Sequence, residues 1–160
     1  MATAARGEDG MKRATKITSI LVLAMVASLA FSAGGAQAGG KGLPRRQMLR
    51  LVNERRRAAG EPRLRMNISL AKYARHHSHK MADRGYIFHT KNLADPLRGM
   101  RWSLAGENVG AGGDTVREMF RAFMNSAPHR ANIMQRAYRH AGIGIVKSSG
   151  YLWVTMDFYG

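Results

Sequence analysis

Glu107 is the residue from which chemistry can be argued first. It stands in Leu104-Ala105-Gly106-Glu107-Asn108-Val109-Gly110, a carboxylate between glycines with apolar neighbours on both sides. Turned inward, such a carboxylate is poorly solvated and needs a cation, hydrogen-bond donors or a metal. His89 upstream and His129 downstream are the partners on offer. Two neutral imidazoles and a carboxylate make a facial set with open positions, suited to a divalent ion such as Zn²⁺. With that ion the chain could be a metal-dependent hydrolase, Glu107 serving as base or ligand. A Ser-His-Glu hydrolase would draw on Ser126, but no G-x-S-x-G elbow accompanies it. The third reading is a hydrogen-bonded polar cluster that locks a loop to the helices.

All three readings require folding to bring distant residues together. Pro44 to Ala59 is expected to be a helix, with Pro44 in its first turn, Met48, Leu51 and Val52 on its apolar side, and Gly60 as the stop. Arg46, Arg50 and Arg57 fall on its other face, read as a solvated surface. A second helix is predicted over Ile68–Arg84, capped by Asn67 and ended by Gly85. The cap role is a better use of Asn67 than the glycosylation sequon it opens with Ile68 and Ser69. Leu70, Ala74, His77 and Met81 recur at helical spacing, so His77 points inward as a hydrogen-bonded core histidine. His76 and His79 stand at i, i+3 and remain an alternative zinc pair lacking a third ligand.

From Gly85 to Gly113 the periodicity fails, and the segment reads as an irregular but ordered loop carrying Phe88-His89-Thr90, Trp102 and Glu107. A third helix is expected over Thr115–Met124 with Asp114 as cap and Glu118 on the solvent side. Ser126-Ala127-Pro128 then opens a short helix that carries His129. Ala141–Val146 and Tyr151–Phe158 are apolar and aromatic runs parted by Lys147-Ser148-Ser149-Gly150, a hairpin. Further strands are sought near Leu64 and Asn108. Helices first and strands last make the fold class α+β, with helices packed on a small antiparallel sheet in a single domain.

The first 38 residues read as a secretory signal peptide. Lys12, Arg13 and Lys16 precede an apolar stretch from Ile17 to Phe31, and Ala36-Gln37-Ala38 supplies a small-x-small cleavage site. The apolar run is shorter than the ~20 residues of a spanning helix, so no transmembrane anchor is expected after cleavage. Met11 is a second possible start. Residues 39–160 then form the secreted domain, with 22 Lys or Arg against 8 Asp or Glu. That charge favours anionic partners, an acidic cell-envelope component or lipid, and export argues against nucleic acid. Without cysteine, the domain holds together by packing alone.

Several short motifs, in order along residues 39–160, carry a resemblance. They are Asn53-x-x-Arg56, Pro62 to Leu64, His77-Ser78 with Met81-Ala82, Phe88-His89-Thr90, Gly106-Glu107-Asn108, Phe123-Met124-Asn125-Ser126, His129-Arg130-Ala131-Asn132-Ile133, Gly142-Ile143-Gly144 and Trp153-Val154. Together they resemble a bacterial CAP domain of the SCP-like extracellular family, named for cysteine-rich secretory proteins, antigen 5 and plant pathogenesis-related proteins. The resemblance implies an α-β-α sandwich with a central cleft. His89 matches the family's first cleft histidine, Glu107 its glutamate and His129 its second histidine. Asn53, Arg56, His77, Asn108 and Asn132 are assigned structural roles. The second acidic residue of eukaryotic members is missing near Ser126, Phe123 stands where Trp is usual, and Ala127-Pro128 replaces Pro-Gly.

Family members are linked to sterol or lipid binding, to divalent metal binding by the two histidines and, in isolated cases, to proteolysis. The resemblance therefore leaves two classes open: a secreted binding or interaction module, and an extracellular metal-dependent hydrolase using the same His/Glu cluster.

Overall fold

The computed structural model describes residues 43–160; the expected signal peptide lies outside them. Helix α1 spans Leu43–Ala58, and strand β1 is the short Arg65–Met66. Helix α2 is Ile68–Arg84, followed after a long connection by β2, Ala105–Gly112. Helices α3, Val116–Asn125, and α4, Ala127–Met134, precede the hairpin of β3, His140–Ser148, and β4, Tyr151–Tyr159. Among the described residues no helix is long and apolar enough to cross a membrane.

The sheet runs in the order β1-β3-β4-β2. It is mixed, which corrects the antiparallel expectation: β3 pairs with β4 and β4 with β2 in antiparallel fashion, but β1 lies parallel to β3. The parallel pairing follows from connectivity, because α2 and everything after it intervene between β1 and β3. Ser149 and Gly150 both have positive φ, 51° and 80°, so the hairpin closes through a two-residue turn whose twist suits its strands.

Helices cover both faces of the sheet and give the α-β-α sandwich. Met48, Val52, Phe123 and Ile133 from α1, α3 and α4 pack with Ile143, Val154, Met156 and Phe158 in the larger core. The alternate residues of β4 face α2: Trp153 packs with Met81, Tyr159 with Leu70, and Thr155 accepts a 3.0 Å hydrogen bond from Ser78. Alternation along the strands thus assigns each residue to one layer. Glycines set the closeness of α2, since a Cβ at Gly144 would overlap the backbone of Ala74 and Arg75, and one at Gly142 would overlap Leu70.

Local signals account for the helix ends. Asn67 caps α2 by accepting from the Leu70 N–H at 3.0 Å, and Gly85 closes it in the left-handed region at φ 73°. The cap of α3 is Thr115 rather than the expected Asp114. Thr115-Val116-Arg117-Glu118 is a reciprocal capping box, in which Glu118 Oε2 also takes the Asp114 N–H at 2.9 Å. The connection between α2 and β2 is anchored by buried Leu97 against Leu70 and Tyr159, whereas Trp102 is 40% exposed instead of packed away.

Candidate functional site

The site forms beside β2, the edge strand, with the segment after α2 on one side and α4 on the other. His77, buried on α2, donates from Nε2 to the Phe88 carbonyl at 2.8 Å, and the Phe88 ring meets it edge-on at 4.9 Å. A carbonyl only accepts, so this bond fixes the proton on Nε2. The inward histidine of the helical pattern therefore anchors the chain immediately before His89.

Glu107 lies on the α2 face of β2, 7% exposed. Its Oε1 accepts from His89 Nδ1 at 2.7 Å and from the Thr90 N–H at 2.9 Å; Oε2 accepts from the Thr90 hydroxyl at 2.7 Å. Both oxygens of this carboxylate are engaged, and the sequence-expected partnership of Glu107 with His89 is present. The bond holds His89 with its proton on Nδ1, which leaves the Nε2 lone pair of a neutral ring on the exposed side.

His129 arrives from the opposite layer. Asn108, on the other face of β2, donates to the His129 carbonyl at 2.9 Å. Asn132 donates to Asn108 Oδ1 at 2.9 Å and to the Glu107 carbonyl at 3.1 Å. These bonds tie α4 to the strand that carries Glu107. The His129 ring lies 5.0 Å from Phe123, and its Nδ1 is buried without a partner. Burial, and next the neighbouring His89, lower its pKa from the usual imidazole value.

Arg56 sets the far end of α4. Fully buried, it donates to the carbonyls of Pro62 at 2.7 Å, Ile133 at 2.8 Å, Gln135 at 2.9 Å and Tyr138 at 3.2 Å. Asn53, one turn earlier, exchanges two hydrogen bonds with the backbone of Leu64 beside β1. The residues assigned structural roles thus each bridge two segments.

Sequence reasoning missed Asp157. It is the cross-strand partner of Glu107 on the α2 face, and on its other side it pairs with Gly142. It is 2% exposed, and neither of its oxygens has a hydrogen-bond partner. Burial first, then the charge of Glu107, pushes its pKa well above the usual carboxylate range. The raised value favours the protonated form of Asp157 beside the Glu107 carboxylate. A signal existed: Asp157 is the one acidic residue in the buried run Leu152–Tyr159.

Among the described residues no three His, Cys, Asp or Glu side chains are grouped to hold a metal ion, and the exposed His76 with half-buried His79 gains no third ligand. Of the two roles open to Glu107 toward an ion, ligand or orienting group, its contacts serve the second. The imidazoles nearest the cleft are those of His89, held by a carboxylate behind it, and His129, with an orphaned nitrogen.

Residues 49–158 match the family described as CAP, the cysteine-rich secretory protein family. The uncharacterized Bacillus subtilis protein YkwD is 34% identical over 121 residues, 72% of this chain and 46% of YkwD, so the chain spans under half of that relative's length. Among solved structures, an extracellular protein containing an SCP domain from Bacillus anthracis is 27% identical with a TM-score of 0.63, covering 71% of this chain and 39% of that one. An outer surface protein of Borrelia burgdorferi, 16% identical, has a TM-score of 0.66 over 76% of this chain and 94% of its own, a likeness of fold alone.

Proposed function

The chain belongs to the CAP family, and from that premise we propose that it is an exported binding module whose cleft takes a divalent transition ion through His89 and His129. The observation that carries this reading is the engagement of Glu107: three donated hydrogen bonds make it an orienting group that holds the His89 ring with Nε2 free. The lowered pKa of His129 favours the neutral ring, the form that can ligate. The two rings supply two ligands and leave the other positions to solvent or to a bound partner's oxygen.

Binding is favoured over hydrolysis by the same contacts. A general base needs access to the reacting water, and Glu107 is buried with three donors already on its two oxygens. The second carboxyl, Asp157, is enclosed behind it, and burial raises its pKa. Export rests on the Ala36-Gln37-Ala38 pattern and on the extracellular description of the Bacillus anthracis relative. Mass spectrometry of the exported species should find Gly39 at its N-terminus; a product retaining Ile17–Phe31 would contradict it.

Calorimetric titration of Zn²⁺ into the purified chain, with thermal melts alongside, tests the ion site. Saturable heat in the wild type, abolished in His89→Ala and in His129→Ala without loss of folding, is expected. Absence of heat in the folded wild type, with both variants merely less stable, would reduce the cluster to a structural lock.

A further inference from the structure

We propose a second binding site, for an acidic sugar, in a hollow that shares His89 with the cleft and extends from it over His77 and the flank of α2. Between the exposed flank of α2 and residues 86–95 lies a concavity of about 420 Å³. That volume lies in the range that holds small ligands, about 300–1,000 Å³. It rests on reading the chain as a binding module but not on an ion in the cleft.

Charge is the first argument. Lys80, Arg84 and Lys91 line the concavity, and among the described residues none is ion-paired. Its one acidic side chain, Asp95, is taken by Arg98 at 3.3 Å. Three unneutralised cations around one hollow attract an anionic group, and Arg84 offers the bidentate geometry that suits phosphate or carboxylate. The guanidinium is already placed, because it lies over the Phe88 ring at 4.8 Å from the centroid.

The walls supply the second argument. Tyr73, Tyr86 and Phe88 present aromatic faces, with Tyr86 56% exposed and 5.5 Å from Phe88. Exposed aromatic rings with a polar tip suit a ligand having one apolar face and several hydroxyls. Asn92 adds a hydrogen-bonding side chain at the rim, and the Thr90 hydroxyl, its proton given to Glu107, can still accept. A ring-shaped polyol bearing one negative charge satisfies cations, ring faces and rim together.

The other basic hollow, between Arg46, Arg50, Arg57 and Arg63 on α1 and the chain beyond it, differs in both respects. Arg50 is paired with Glu54 at 2.6 Å, and no aromatic residue lines it. It serves as a control, since equal charge can be removed there without touching the proposed site.

NMR titrations with glucose 6-phosphate, glucuronic acid, glucose and inorganic phosphate, at about 0.15 M salt to screen long-range attraction, provide the test. Both acidic sugars should saturate shifts in residues 80–95, while glucose and phosphate bind at least about tenfold more weakly, the worth of one charge-assisted contact. Arg84→Gln with Lys91→Gln should weaken glucose 6-phosphate by about tenfold or more, whereas Arg46→Gln with Arg57→Gln should leave it within about twofold. Tyr86→Ser should weaken it several-fold with the fold intact. Equal weakening by the two arginine-containing double variants, phosphate binding as tightly as the sugar phosphate, or no saturable shift would overturn the proposal. Because no Zn²⁺ is present, the ion site can fail its titration while this site passes, or the reverse.

Discussion

Glu107 and Asp157 face each other across β2 and β4 as paired residues, both buried beneath α2. The two carboxyls have different tasks. Glu107 collects donors from His89 and Thr90, whereas Asp157 has none, and its burial beside that carboxylate raises its pKa. Gly142, the other neighbour of Asp157, offers no side chain, so α2 closes over the pair through Leu70.

Asp157 therefore links stability to pH. Its folded pKa is raised, so between its unfolded value, about 3.9, and its folded value the native state holds the proton more often than the unfolded chain. The stabilisation is complete below the unfolded value and is lost as pH rises through the folded one. Melts at a series of pH values should show wild-type stability declining, relative to Asp157→Asn, by up to about 1.4 kcal/mol per pH unit. Asn can donate to Glu107, so the variant should fold. Parallel curves for the two proteins would contradict a protonated Asp157.

Glu107→Gln disturbs the other half. An amide has one accepting oxygen and places an N–H₂ where a donor already points, so at least one of the three bonds from His89 and Thr90 is lost. A destabilisation of about 1–3 kcal/mol is expected, together with faster amide exchange at Thr90. If Glu107 orients His89 toward an ion, the same variant should weaken Zn²⁺ binding by about 10- to 100-fold. Unchanged exchange at Thr90 would argue against the hydrogen bonds.

Much of this was legible in the sequence because it depends on local pattern. The α2 boundaries follow from Asn67 and Gly85, and the inward turn of His77 follows from its spacing with Leu70, Ala74 and Met81. Glu107 with His89 could be named because a carboxylate in an apolar run demands a partner. Which partner was beyond local pattern: His129 comes from the opposite layer, and Asp157 is set beside Glu107 only by strand register. A strand was sought near Leu64, where the two-residue β1 lies, but its parallel pairing with β3, far along the chain, was not legible. Asp114 was mistaken for the cap because an acid before a helix is a common signal, whereas the Thr115 and Glu118 pair satisfies two backbone donors reciprocally.

His129 titrates in the sense opposite to Asp157. Its folded pKa is lowered by burial and by His89, so the unfolded chain takes up a proton first as pH falls. The stability it contributes is present above the ordinary imidazole value, about 6.5, and lost as pH falls through the folded value. Histidine NMR titration should place His129 below the ordinary imidazole value, and His129→Phe should remove this part of the acid sensitivity. A His129 that titrates at or above the ordinary imidazole value would contradict a desolvated ring.

Arg56 gives the most demanding test of how the second histidine is held. Burial lowers its pKa from the ordinary guanidinium value, with Glu61 opposing that shift and Arg139 adding to it; arginine nevertheless stays charged at any ordinary pH. Its four backbone acceptors lie on the turn after α1, the end of α4 and the approach to β3, so one side chain fixes where α4 stops. Lysine keeps the charge but has a single nitrogen that cannot span acceptors arranged around a fork. Arg56→Lys should therefore lower stability by about 2–4 kcal/mol, the scale of leaving buried carbonyls unpaired and a buried charge poorly placed. Arg56→Met removes the charge yet orphans the same carbonyls, so it should be no more stable than the lysine variant. Denaturant melts give the stabilities, and amide exchange at Ile133 and Tyr138 reports whether the end of α4 has loosened. Wild-type stability in Arg56→Lys would mean that water can replace the fork, and α4 would then owe its position to Asn108 and Asn132.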